Sequence, residues 1–287
     1  MLCGARLKRN GTTSKGTTRW RCTLCGASST KPRPDVARRH ELEAFVGWLT
    51  GNRTQADLSG GSGRSFRARH AWCWHLAPTI PITGEIYEEV QVDGTYLSGG
   101  WCLLLAIDAH SGTVIAWQWC DTEKTTAWAA LLQRIPPPRV VVTDGGAGLR
   151  TALKQCWPTT RIQRCLVHVQ RNVRTYLTMR PRTEAGKQLR SLSLALTRIT
   201  SLAEAATWAA QLNQWHQEHA DLINTKTYLA QADTRPVWAP ANATWWWTHQ
   251  RLRKAYQLLA RLLREGVLFT YIDPELENLS IHSTTNR

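Results

Sequence analysis

Apolar positions along this chain change period twice, and each change marks a new kind of structure. From Asp35 to Thr50 the residues Val36, Leu42, Phe45, Val46 and Leu49 fall on one helical stripe. A short helix over Gln55 to Leu58, capped from Asn52-Arg53-Thr54, leads into a turn at Gly60-Gly61-Ser62-Gly63. The arginine-rich stretch Arg64 to His70 then runs on to Trp72 and Trp74. From Tyr87 the period drops to two. Strands are predicted over Glu89 to Tyr96, Trp101 to Ile107 and Thr113 to Cys120, the last two joined by Asp108-Ala109-His110-Ser111-Gly112, with Asp108 a turn residue. Helical spacing returns in Thr125 to Ile135 through Trp128, Leu131 and Leu132, until Pro136-Pro137-Pro138 stops it. Val140-Val141-Val142 reads as a strand covered on both faces, ending at Asp144. A helix from Ala147 to Cys156 follows, then a strand from Arg161 to Cys165 that runs into His168.

This order of elements predicts an α/β core in which three antiparallel strands are extended by parallel ones. From Gln170 to Arg264 the pattern shows no further strand. Leucine, alanine and tryptophan recur at helical spacing in Leu189 to Leu202, Ala205 to Trp215 and Leu252 to Leu263, with Trp245-Trp246-Trp247 opening the last. Phe269 to Pro274 reads as a strand or a turn, and Lys31-Pro32-Arg33-Pro34 as a linker. The expected organisation is a small knuckled segment (1–30), a helical region (35–77), the α/β core (85–169), a helical insertion (170–264) and a return to the core (265–287). The helix, glycine turn and basic helix of the second region outline a helix-turn-helix whose second helix enters a major groove. A basic connecting helix on a solvated face is the other reading.

Charge narrows the partner. With 36 Lys and Arg against 21 Asp and Glu the formal charge is +15 and the isoelectric point about 9.9. Such a surplus points to nucleic acid, whose phosphates release condensed counterions when Lys and Arg replace them. Much of it is arginine, which suits bidentate phosphate contacts. No apolar run is long enough to span a membrane, and the first residues lack the apolar core of a signal peptide. The expected location is the cytoplasm, in association with the nucleoid, where the eight cysteines stay reduced and serve as ligands or core.

Candidate chemistry sits in two places. Asp93 and Asp144 each close a short apolar strand beside glycine, and ligands of open α/β sheets gather at such ends. Two carboxylates brought together there repel and raise one pKa unless cations neutralise them. Paired Mg²⁺ ions held by acidic side chains are a common solution in enzymes that cut phosphodiesters. Asp-Gly is also an ordinary turn after any strand, so neither motif carries the reading alone. Near the start, Cys22-Thr23-Leu24-Cys25-Gly26 is a knuckle suited to tetrahedral thiolate coordination, and Cys3-Gly4 resembles half of another. Cys3, Cys22 and Cys25 make an incomplete zinc site, three thiolates where a closed one wants four. Arg19 and Arg21 lie between these knuckles and, with Arg64, Arg67 and Arg69, are the expected DNA-contacting cations. A basic arm without metal is the alternative.

Taken together, Asp93-Gly94-Thr95, Asp144-Gly145-Gly146, Cys165-Leu166-Val167-His168 and Ser283-Thr284-Thr285-Asn286 resemble bacterial insertion-sequence transposases of the Mutator-like group, the IS256-type branch with an N-terminal zinc ribbon. The resemblance implies a ribonuclease H-like core with a long helical insertion. It implies that Asp93 and Asp144 are the first two acids of an Asp-Asp-Glu triad holding two Mg²⁺, and that the 1–30 segment carries Zn²⁺. It further implies double-stranded DNA (terminal repeats and target) as partner, a homo-oligomer assembled on that DNA, and cleavage and strand transfer at the element ends. Cys165 and His168 match a family motif assigned to shaping the site. In the family the catalytic glutamate follows Thr-Thr-Asn by a few residues, whereas this sequence stops one residue after Asn286. Glu275 and Glu277 stand on the wrong side of that motif. The expectation is a chain clipped before its third acid, and the alternative function is a non-catalytic DNA-binding remnant.

Overall fold

The computed structural model describes residues 3, 5–30, 34–59, 61–76, 79–97, 99–232 and 234–285. Met1, Leu2 and Gly4 of the first knuckle, Lys31, Pro32 and Arg33 of the linker, Gly60 of the turn and Asn286 of the terminal motif lie outside the described residues. Two units divide the chain, Met1–Thr79 and Ile80–Arg287.

The first unit opens with β1 (Leu7–Thr12), β2 (Thr18–Cys22) and β3 (Ser28–Ser29), an antiparallel sheet in that order. Among its described residues up to Thr30 only Cys22 is buried. Apolar burial therefore cannot hold this segment, and small domains of this kind depend on a staple such as a metal. Three helices follow: α1 (Pro34–Leu49), α2 (Gln55–Ser59) and α3 (Arg64–His70), the last continued by a 3₁₀ turn over Ala71–His75. Phe45, Phe66, His70 and Cys73 are buried between them, with the Phe66 and His70 rings 4.0 Å apart. Gly63 makes the turn into α3 in the left-handed conformation, φ +74°.

The second unit is built on one mixed sheet. β4 (Glu89–Tyr96), β5 (Cys102–Asp108) and β6 (Val114–Cys120) form an antiparallel meander. Next come α4 (Thr125–Leu132), β7 (Val140–Thr143), α5 (Ala147–Cys156) and β8 (Arg161–Arg164). The sheet order is β6-β5-β4-β7-β8, with β4, β7 and β8 parallel. The predicted sequence of strands and helices is thus the one found, in a mixed α/β fold. Val90, Val92, Val141, Leu104 and Ala106 face Trp128, Leu131, Leu132, Leu149 and Leu153 of α4 and α5, all at most 1% exposed. Each such aliphatic side chain contributes roughly 1.5–3 kcal/mol by leaving water.

Helices α6 (Leu166–Leu177), α7 (Glu184–Ala195) and α8 (Leu202–Asn224) come next, then the strands β9 (Lys226–Tyr228) and β10 (Trp245–Trp247), then α9 (Gln250–Arg264). Leu166, Val173, Leu189, Leu212 and Leu259 belong to their shared core. The segment after α9 returns to the sheet. Thr270 Oγ1 donates to the Ile162 carbonyl (2.8 Å), Gln163 Nε2 to the Leu268 carbonyl (3.0 Å), and Leu276 and Ile281 pack on Val140.

Three expectations are corrected here. Trp245-Trp246-Trp247 is a strand paired with Lys226–Tyr228, and it does not open α9. Trp246 turns inward while Trp245 and Trp247 grip the Lys226 ammonium, 4.1 and 5.3 Å from their ring centroids, a cation–π arrangement that only an extended backbone offers. The helix expected over Leu189 to Leu202 ends at Ala195 because Ser201 begins a new one, accepting from Glu204 N while the Glu204 carboxylate takes Thr200 N at 2.7 Å. Phe269 to Pro274 is neither strand nor simple turn: Thr270–Ile272 and Pro274–Leu279 are 3₁₀ turns, the second capped by Asp273.

Candidate active site

Strand register brings the two aspartates side by side. In the parallel β4–β7 pair, Val90 stands beside Val141, Gln91 beside Val142 and Val92 beside Thr143. One step further lie Asp93 and Asp144, on strands whose spacing is about 4.8 Å. Val90 and Val141 point into the core under α4 and α5, so the alternation that buries them turns both aspartates to the other face. Each carboxylate is half-buried and takes a backbone amide on Oδ1, from Gly94 (2.9 Å) and Gly146 (3.0 Å) respectively. Among the described residues no donor is bonded to Oδ2 of either. Burial raises the Asp93 pKa, and Asp144 adds to the rise while His168 and Arg171 oppose it.

A third carboxylate joins them. Glu123 leaves the loop between β6 and α4 and lies over Gly94, where a Cβ would come within 2.7 Å of its carboxyl carbon. A methyl group at Gly146 would touch both Asp144 Oδ1 (3.7 Å) and Glu123 Oε2 (3.9 Å), so the two side chains face one gap. Burial raises the Glu123 pKa, followed by repulsion from Asp144 and Asp93. The fully buried Trp128 turns its indole N–H toward Glu123, lowering that pKa somewhat without reaching full hydrogen-bond geometry. Sequence reading passed over Glu123 because an acid in the first residues before a helix reads as a solvated cap. The available signal was that it is the one glutamate between Glu89 and Glu184.

Cations border this acidic gap. His168, in the first turn of α6, is raised in pKa by the Cys165 thiol and further by Asp93 and Asp144. Its Nδ1 is buried without a hydrogen-bond partner. Burial pushes the Cys165 thiol up, but His168 and Thr285 outweigh it and bring it to about 7. Arg164, at the end of β8, is 5% exposed with its Nε unpartnered. Its guanidinium occupies the space where a Cβ of Gly145 would stand, and Gly145 also has φ +74°. Glycine is required there on both counts.

The other predicted site residues lie elsewhere. The sulfurs of Cys3, Cys22 and Cys25 sit within 4.8 Å of one another, and no fourth ligand joins them among the described residues. Amides of Cys25 and Leu24, together with the Cys3 thiol, bring the Cys22 pKa down to about 6. Arg19 and Arg21 on β2 are exposed, as are Arg64, Arg67 and Arg69 on α3, opposite the buried Phe66 and His70. Glu275 is paired with Arg161 (2.9 Å) at the start of β8, the end of the sheet away from Asp144, and Asp273 holds the same arginine. Glu277, in the same 3₁₀ turn, precedes the Ser280 turn that leads to Ile281 on Val140.

Residues 82–233 match a family model described as "Transposase, Mutator family". The chain is 31% identical over 101 residues to the transposase for insertion sequence element IS905 of Lactococcus lactis subsp. lactis (strain IL1403), which covers 30% of this chain and 26% of that protein. It is 31% identical over 108 residues to the transposase for insertion sequence element IS1201 of Lactobacillus helveticus, covering 36% of this chain and 27% of that one. The matched stretches thus span about a quarter of each of these relatives.

Proposed function

The chain belongs to the Mutator family of transposases, and on that premise we propose that it cuts and rejoins DNA at the ends of an insertion sequence, with a divalent-metal site built from Asp93, Asp144 and Glu123. The observation that carries this reading is the convergence of three carboxylates on one gap, with Asp93 and Glu123 raised in pKa by burial and then by neighbouring carboxylates, Asp144 for both and Asp93 for Glu123. Hard oxygen donors with unused lone pairs fit Mg²⁺. When bound, a pair of such ions supplies activation of the attacking hydroxyl and stabilisation of the leaving oxygen in an in-line displacement. The chain's own contribution is positional. The Gly94 and Gly146 amides fix Asp93 and Asp144, the β6–α4 loop sets Glu123 over Gly94, and Arg164 supplies a fixed positive charge beside Asp144. His168 moderates the repulsion among the acids as long as it is protonated.

In this reading the mixed sheet is a ribonuclease H-like core and residues 170–264 its helical insertion. The 1–30 segment is a zinc ribbon closed by Cys3, Cys22, Cys25 and one further ligand. The 35–77 region presents α3 to a major groove. The protein works in the cytoplasm on nucleoid DNA, and copies of it pair on the two ends of the element. The test uses the full chain and a supercoiled plasmid carrying the element. Nicking that needs Mg²⁺ or Mn²⁺, and that falls by at least on the order of 10²-fold in Asp93→Asn, Asp144→Asn and Glu123→Gln, is expected. Manganese titration followed by electron paramagnetic resonance should show the same variants losing metal. Plasmid binding by the wild type with no nicking in either metal would leave a non-catalytic DNA-binding protein instead.

A further inference from the structure

A basic channel leaves the carboxylate gap and runs between α6 and α9. Its inner part, about 290 Å³, begins at Asp144, Gly145 and Gly146 and is walled by Arg164, Asn172, Thr175 and Arg261. It shares Tyr176, Leu258 and Arg261 with an outer depression of about 550 Å³, whose rim carries Lys254 and Arg264. We propose that this channel seats the phosphodiester backbone of the DNA strand leading into the cutting site, with Arg164 under the phosphate nearest the carboxylates. The proposal rests on the reading of Asp93, Asp144 and Glu123 as that site and adds the surface that delivers the strand to it.

The charge arrangement is the argument. Burial lowers the Arg164 pKa, Asp144 opposes that shift, and Arg150 and Arg261 lie close enough to add to it. One carboxylate, Glu265, serves Arg150 at 3.1 Å and Arg261 at 4.0 Å. Among the described residues no carboxylate pairs with Lys254 or Arg264. A nearly fully buried guanidinium with an unpartnered Nε, whose charged neighbours include two further arginines as well as Asp144, gains from an anion that completes it. A chain of phosphates answers the whole row. Single anions would satisfy Arg164 alone and leave the outer cations 254 and 264 unexplained. Tyr176 and Leu258, between the charges, offer sugar and base an apolar floor.

The test is fluorescence anisotropy of the full chain on a labelled duplex cut from an end of the element, across a series of salt concentrations in magnesium-free buffer. Lys254→Glu with Arg264→Glu removes charges that hold no internal ion pair among the described residues, and Lys187→Glu, at an exposed position of α7 where the lysine pairs with Glu184 at 3.5 Å, is the control. The double variant should bind at least tenfold more weakly near 0.1 M salt. Its log–log salt slope should be shallower by about 1.8, from two phosphate contacts at about 0.9 each. Arg261→Gln should lose affinity in the same direction, and Lys187→Glu should match the wild type. All proteins are checked for an unchanged melting temperature. Equal affinity and slope in the double variant and in Arg261→Gln would overturn the channel, and if Asp144→Asn still abolishes nicking the cutting site stands without it. A wild-type chain that binds no DNA overturns both.

Discussion

At the scale of single residues the site is a concentration of like charge that the fold tolerates at a cost. Asp93 and Glu123 both have carboxyl groups raised above their unfolded values of about 3.9 and 4.3. The native state therefore holds these protons more tightly than the unfolded chain does. Stability falls as pH rises from those values through the raised ones. Removing one charge should relieve this loss. In magnesium-free buffer at pH 7, Asp93→Asn and Glu123→Gln are expected to melt higher than the wild type, by about 2–4 °C for each kcal/mol of repulsion removed. The difference should shrink toward zero as the pH is lowered through 4. Added Mn²⁺ should reverse the order, because it stabilises the chain that binds it in proportion to RT ln(1 + [L]/Kd). Scanning calorimetry decides the matter, and amide variants that melt lower than the wild type at pH 7 would remove the electrostatic account of the site.

At the scale of elements the site depends on how closely α5 lies against the loop that carries Glu123. Gly148, in the first turn of α5, has no room for a Cβ, which would overlap the Glu123 carbonyl. Gly47, inside α1, has nothing within 4 Å of the same position. The two helical glycines should answer alanine with opposite signs. Gly47→Ala should stabilise by roughly 0.5–1 kcal/mol through better helix propensity. Gly148→Ala should destabilise by about 1–3 kcal/mol through overpacking, and should weaken Mn²⁺ binding by shifting Glu123. Urea unfolding of both variants checks the pair. This contact also explains what could be read in advance. The strands and the two aspartates were legible because an alternating run leads to Asp93-Gly94 and a continuous valine run leads to Asp144-Gly145. Glu123 was not, since it reaches the gap only through a close approach of α5, a loop and β4 that no local pattern encodes. The strand at Trp245 to Trp247 was missed for a related reason. Its partner Lys226–Tyr228 is three residues long, too short to show a period, and a tertiary contact outweighed the helical neighbourhood. The break at Ser201 was legible in principle as Ser-x-x-Glu.

At the scale of the whole molecule the surplus of fifteen positive charges falls on surfaces that should do different work on the same DNA. Contacts to phosphate set affinity and its salt dependence, whereas contacts to base edges set discrimination between sequences. The channel beside α9 belongs to the first kind. Its cations 254 and 264 stand on the rim of a depression and face a repeating charge, so neutralising them should weaken all duplexes alike. α3 belongs to the second kind in the helix-turn-helix reading, and its three arginines are not equivalent. Arg67 Nη1 donates to Gln55 Oε1 at 3.0 Å and so braces the turn between α2 and α3. Arg64 and Arg69 make no such bond among the described residues and are the ones available to guanine edges. Selection of bound duplexes from a randomised pool separates these roles. Arg64→Ala or Arg69→Ala should flatten the preference at one or two base positions, each worth about 1–3 kcal/mol of discrimination, with the melting temperature unchanged. Arg67→Ala should lower the melting temperature of the first unit instead. Lys254→Glu with Arg264→Glu should leave the selected sequence as it is while reducing the amount recovered at every salt concentration. A preference that moves with the channel charges and ignores positions 64 and 69 would assign recognition to the second unit and take it away from α3.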